Sequence, residues 1–172
     1  MKIHTMSSNV IDIMKALSYN EELINWIMID KNVTTFNKSN RPTGFTNNQQ
    51  IITQKDEHCR ILPIPFNPEA EEVDKSMIRV YYNQGDFDSE IISESTLHID
   101  IIVAKNLWLI YDEGENRELI RPYAIMDTIM DTVGRRAGHP LVQVNFTGWQ
   151  HLAVNTKFDA IRLYAEYFKP EV

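Results

Sequence analysis

Residues 95–104, STLHIDIIVA, alternate so regularly between two sets of side chains that an extended strand is the conformation they specify. Leu97, Ile99, Ile101 and Val103 fall on one face, and Thr96, His98, Asp100 and Ile102 fall on the other, because side chains alternate sides along a strand. The apolar face belongs to a core, and the opposite face reads as a polar sheet surface. Such a strand needs partner strands and a covering layer, so the rest of the chain has to supply both.

Partners are easy to find. Residues 77–82 (MIRVYY) alternate and run into Asn83-Gln84-Gly85, a turn signal that predicts a reversal. Residues 60–66 (RILPIPF) are apolar, but Pro63 and Pro65 lack an N–H, which confines this segment to a sheet edge or an extended arm. Residues 107–111 (LWLIY) predict a continuation toward a turn at Asp112-Glu113-Gly114. Near the C-terminus, residues 141–147 (LVQVNFT) and 158–168 (FDAIRLYAEYF) alternate well. The intervening 148–155 are too many for a two-residue turn and predict a wide hairpin or a third short strand.

Two segments carry helical spacing. In residues 8–30, Ile11, Met14, Leu17, Leu23, Ile24, Ile27 and Met28 recur at that period, and Ser18-Tyr19-Asn20-Glu21 matches a capping box in the middle. One bent helix or two short ones would satisfy this pattern. A second helix opens at Arg121-Pro122, with proline at its favoured start, buries a stripe of Ile125, Ile129 and Met130, and stops at Gly134. Residues 31–57 hold neither period and predict a long loop or arm, a length that is usually functional or orders on binding. The order is helix, loop, β-rich block, helix, hairpin. It predicts an α+β fold in which a mostly antiparallel twisted sheet carries an N-terminal helix and a second packed helix, closed by a C-terminal β-hairpin. At 172 residues this is a single domain spanning 1–172, with the sheet, second helix and hairpin in 58–172.

Charge and composition narrow the function. Seventeen Lys and Arg against 24 Asp and Glu give −7, which disfavours a general phosphate-binding surface. Cys59 is alone, so no intrachain disulfide is expected, which suits synthesis in a reducing cytoplasm. The opening MKIHTMSSNV lacks the basic-then-apolar pattern of a secretion signal, and no run of about 18 apolar residues occurs, so neither export nor membrane spanning is expected.

Chemistry-bearing residues are sparse. His98 and Asp100 share a strand face, but no third ligand accompanies them at metal spacing. His58 and Cys59 are adjacent, and neighbours along a strand point apart and form no dyad; Cys59 reads as a small core residue. Asp127 and Asp131 read as the solvated stripe of the second helix, and Arg135-Arg136 as charges that favour its C-terminus. GxxxxGK[ST], GxGxxG, GxSxG and HExxH are all absent. The expectation is a protein that is not an enzyme, with no catalytic residue, no cofactor and no metal.

Three segments carry a resemblance: STLHIDIIVAKNLWLIYD, RPYAIMDTIMDTVG and LVQVNFTGWQHLAVNTKFDAIRLYAEYF. Together, over roughly residues 77–168, they resemble the tail terminator, or head–tail joining, proteins of long-tailed bacteriophages. Trp108 after the long strand, Arg121-Pro122 at the helix start and residues 158–162 opening the last strand match the shared layout. The resemblance implies a structural virion protein of the tail or neck, made in the host cytoplasm. It also implies a hexameric ring that contacts the tail tube protein and the head connector, while DNA passes through the lumen without specific binding. An acidic subunit suits such a lumen, since a ring that grips phosphate would stall its cargo. Phe36, Arg41 and Phe45 in the loop, Pro63 and Pro65 in the proline-bearing segment, and Trp149 and Phe168 in the closing hairpin are the candidate interface residues. Neighbouring neck components, a head-completion or stopper protein, are the alternative within the same class. From another class, a small intracellular ligand-binding domain would place a pocket between sheet and second helix, lined by Trp108, Tyr123 and Met126.

Overall fold

The apolar residues at helical spacing near the N-terminus form two helices. In a computed structural model, which describes residues 3–30, 40–88, 91–139 and 142–168, α1 spans Ile3–Ser18 and α2 spans Glu21–Met28. The break is made by Asn20, whose side chain accepts from the Leu23 N–H at 2.9 Å and so satisfies one orphan donor of α2. Ser18 is not the cap that the SYNE pattern suggests. Its hydroxyl donates to the Lys15 carbonyl inside the last turn of α1.

The remaining elements are β1 (Ile61–Leu62), β2 (Ser76–Asp88), β3 (Ile91–Ala104), β4 (Leu109–Asp112), β5 (Arg117–Ile120), α3 (Arg121–Val133), β6 (Gln143–Ala153) and β7 (Phe158–Phe168). Five strands form one sheet in the order β1-β2-β3-β7-β6, and β4 pairs with β5 in a separate two-stranded ribbon. Only the β1–β2 pairing is parallel in the large sheet. The fold is therefore α+β, with an N-terminal helix, a helix packed on a mixed but mostly antiparallel sheet, and a closing β6–β7 hairpin, as the element order predicts.

One face of the sheet packs under the helices. Ile78, Val80, Leu97, Ile99, Ile101, Val103, Ile161 and Leu163 are buried there with Ile13, Leu17, Leu23, Ile24, Ile27, Ile125 and Ile129. Each such side chain contributes about 1.5–3 kcal/mol on leaving water. Met130, expected in the α3 stripe, instead faces outward, and Thr128 and Val133 take the inner positions. The opposite face is not the open polar surface that the alternation suggests. Asp100, Ile102 and Phe158 are buried on it beside the Pro65-Phe66 segment, and His98 is buried on it between Tyr81 and Tyr164.

Several boundaries differ from the sequence reading for identifiable reasons. The strand 76–88 does not reverse at Asn83-Gln84-Gly85: the pairing register with β3 shifts between Tyr82 and Gln84, so Asn83 is the extra residue of a β-bulge. Residues 148–153 likewise belong to β6, where the register shifts between Phe146 and Gly148, so Thr147 is the extra residue and Gly148 pairs with Tyr164. A tight turn at Asn155, whose side chain accepts from the N–H groups of Lys157 and Phe158, then closes the hairpin. Residues 107–111 split into a 3-10 turn, Lys105–Leu107, and β4. His58 and Cys59 sit in a turn ahead of β1, not in a strand, and Cys59 is partly exposed instead of core.

The described part of the long loop, residues 40–57, is folded against the body. Asn47 and Gln50 cap a short 3-10 helix, Asn48–Ile52, by a reciprocal capping box, and Ile51 enters the core. Arg41 bonds Asn25 Oδ1 at 2.7 and 2.9 Å and Glu21 at 2.7 Å, which ties the segment to α2.

Two buried features lock α3 in place. Arg121, fully buried at its first position, donates from Nε to the Leu107 carbonyl (2.9 Å) and from Nη1 to the carbonyls of Trp26 (2.8 Å) and Ile29 (2.9 Å). At the other end, Gly134 lies so close to the last turn that a Cβ there would stand 2.3 Å from the Met130 carbonyl oxygen. Gly134→Ala is expected to cost about 2–3 kcal/mol through that overlap, read as a lower urea midpoint. An unchanged midpoint would mean that the helix end moves freely.

Candidate functional site

Two places have the geometry for function: a polar cluster on the second face of the sheet, and the sheet's two outer edges. The cluster arises from register. Arg79, Asp100, Arg162 and Gln150 stand opposite one another across β2, β3, β7 and β6, and Tyr81, His98 and Tyr164 form the adjacent row. Asp100 accepts from Arg162 Nε at 2.7 Å and Nη2 at 2.8 Å, and from the Tyr81 hydroxyl at 2.7 Å. Tyr81 in turn accepts from Arg162 Nη2 at 2.9 Å. Burial first, then the bond to Asp100, holds the Tyr81 hydroxyl protonated well above its usual range, and the bond to Asp100 pushes the Arg162 guanidinium further up. This triad holds three strands together and offers no free base or nucleophile.

His98 lies edge-on between Tyr81 (5.6 Å) and Tyr164 (5.1 Å), with Nδ1 buried and unbonded. Burial, and then the charge of Arg162, lower its pKa, while Asp100 partly opposes them. A depressed histidine gives stability that is present above its unfolded value of about 6.5 and lost as pH falls toward the folded value. Urea midpoints are therefore expected to drop between about pH 7 and pH 5, and His98→Gln to flatten that drop. An equal slope in the variant would remove His98 as the cause. Among the described residues no group of three His, Cys, Asp or Glu side chains converges as a metal site. Burial also pushes the Cys59 thiol up, away from the thiolate that nucleophilic chemistry needs.

The described candidate interface residues fall at four places. Arg41 and Phe45 are occupied within the subunit: Arg41 sits 5.7 Å over the Phe45 ring, and Phe45 meets His58 edge-on at 5.8 Å. Pro63 and Pro65 line an open apolar groove of about 480 Å³ with Met6, Val10 and Ile11 of α1 and with Tyr81 and Tyr82. Trp149 lies at the opposite side of the sheet on β6, 54% exposed and edge-on to Tyr123. Phe36 lies outside the described residues. Phe168 pairs its backbone with Gln143 at the end of β7.

Sequence reasoning named Trp149 and the prolines as candidates but did not place them beside two largely open edges of one sheet. β1 covers β2 only at Ile78 and Arg79, because Pro63 has no N–H with which to continue the ladder. Among the described residues no strand pairs with the outer side of β2 beyond Arg79. At the other side, β6 is the last strand, and among the described residues only Val144 is bridged, to Gly134. Of its eleven residues, QVNFTGWQHLA, none is Lys, Arg, Asp or Glu. Edge strands are normally blunted by charge, proline, brevity or a bulge; β6 has the bulge at Thr147 but no charged residue, no proline and eleven residues of length. The missed signal was that absence of charge in residues 143–153.

Trp108 and Tyr123, proposed as pocket walls, are engaged with neighbours: Trp108 stacks on His151 at 5.5 Å, and Tyr123 lies against Trp149. No described helix is long and apolar enough to cross a membrane. The fold and its edges define a class: a helix-backed α+β sheet domain in which, among the described residues, β2 beyond Arg79 and most of β6 have no strand on their outer sides. The YomW family model matches residues 12–167, and the chain belongs to that family. No curated protein matches it.

Proposed function

We propose that this chain is a ring-forming tail terminator of a long-tailed bacteriophage, a structural protein that caps the tail tube and joins it to the head connector. The observation that carries the reading is the pair of open edges on one sheet, β2 beyond Arg79 and the uncharged β6, in a chain whose element order is the one that the sequence resemblance to that group implies. Open edges on opposite sides of a subunit suit head-to-tail assembly, which closes into a ring when the rotation per copy divides a circle. A subunit charge of −7 supports a lumen that DNA traverses without being held. No cofactor takes part.

Negative-stain microscopy of purified protein mixed with polymerising tail tube protein tests the role. Tubes of limited length with density on one end are the expected result. Uncapped tubes of unlimited length would overturn the terminator role, and binding to the head connector alone would move the protein to a head-completion or stopper position.

A further inference from the structure

We infer that copies of this chain join by continuing the sheet, the outer edge of β6 in one subunit pairing antiparallel with the free edge of β2, residues 80–88, in the next. This rests on the proposed assembly role and names its interface. Strand direction comes first. Successive neighbours β2, β3, β7 and β6 are all antiparallel, so β2 and β6 of one subunit run in opposite directions. A second copy placed beside the first in the same orientation therefore sets its β6 antiparallel to β2, with both helix-covered faces on the same side of the joined sheet.

The side chains fit that placement. Trp149 pairs with Leu163 and Tyr82 with Leu97, which put both on the helix-covered face. Trp149 is a large, half-exposed apolar knob at one edge, and the groove between α1 and the proline-bearing segment is an apolar hole beside the other. With Trp149 opposite Tyr82, the indole enters that groove against Val10, Ile11 and Pro63, and Asn145 falls opposite Asp86. The Gly134–Val144 bridge holds exposed Arg136 near the start of β6, so a positive charge approaches the acidic end of the β2 edge. Pairing β6 with its own copy about a twofold axis would leave both the groove and the β2 edge empty. Affinity comes from the ladder and from the buried tryptophan, the residue type most often dominant at interfaces.

Two variants, Trp149→Glu on the knob and Ile11→Glu on the rim of the groove, test this by native mass spectrometry and sedimentation. Circular dichroism checks that both remain folded. At concentrations where the wild type assembles, each variant alone is expected to associate at least about 30-fold more weakly, as for loss of a dominant interface residue. Their equimolar mixture is expected to form a one-to-one heterodimer that grows no further, because it contains one intact knob and one intact groove. Wild-type-like rings from either variant, or a mixture that stays monomeric, would overturn this interface while leaving a ring-forming role standing. A wild type that remains monomeric throughout would end both.

Discussion

Replacing Arg121 by Met is expected to destabilise the protein by about 3–5 kcal/mol, the range for removing one partner from a buried charged network. Arg121 is fully buried, and its guanidinium binds carbonyls from three places, Leu107 ahead of β4, Trp26 within α2 and Ile29 just after it. Burial lowers its pKa to about 10, still well above neutral pH, so the side chain stays charged and the carbonyls answer that charge. Met fills much of the space but leaves three buried acceptors without donors, each costing about 1–3 kcal/mol before relaxation. Arg121→Lys keeps the charge but not the planar fork, so a loss between those of wild type and Met is expected. Urea unfolding followed by tryptophan fluorescence measures both. A Met variant within about 1 kcal/mol of wild type would show that the carbonyls find other donors.

The second large effect is expected at Asp100. Asp100→Asn keeps the shape but removes the negative charge that takes two bonds from Arg162 and one from Tyr81, at a site where Asp100 is buried and Arg162 is partly exposed. A loss of about 3 kcal/mol is expected, toward the lower end for such pairs because water reaches the arginine. Arg162→Gln should cost less, and the double variant less than the sum of the singles, since the interaction can be lost only once. Tyrosine absorbance gives an independent reading: one residue that resists ionisation in the wild type should titrate earlier in Asp100→Asn. Additive losses, or an unchanged titration, would deny the coupling.

These two residues also mark the limit of what the sequence discloses. The α3 helix was legible because Pro122 and Gly134 are opposite punctuation marks, one suited to a helix start and one to its end. The strand 95–104 was legible because its alternation is long. Arg121 gives no such sign, since a charged residue at a helix start reads as solvated until its three carbonyl partners, two of them about ninety residues away in α2, are brought to it. Asp100 sits in an alternating strand opposite Arg162 in another, which hints at a cross-strand pair, but its burial depends on the Pro65-Phe66 segment covering that face.

Strand ends failed where glycine or asparagine stood inside a strand. Asn83 and Gly148 resemble turn residues, and each is instead at or beside a bulge, a choice made by pairing with β3 and β7 and not by local preference. β5, residues Arg117–Ile120, went unseen because none of it is buried and no alternation results. The candidate site was half legible. Trp149, Pro63 and Pro65 could be named from the sequence as candidates, but their separation onto opposite edges is a property of strand order, which no local pattern encodes.

Assembly through those edges is the central proposal. Native mass spectrometry of the purified wild-type chain, from nanomolar to tens of micromolar, reads it directly. A single closed species of fixed copy number, with smaller forms disappearing as concentration rises, is the predicted result. A monomer at every concentration, or a twofold dimer that grows no further, would contradict it.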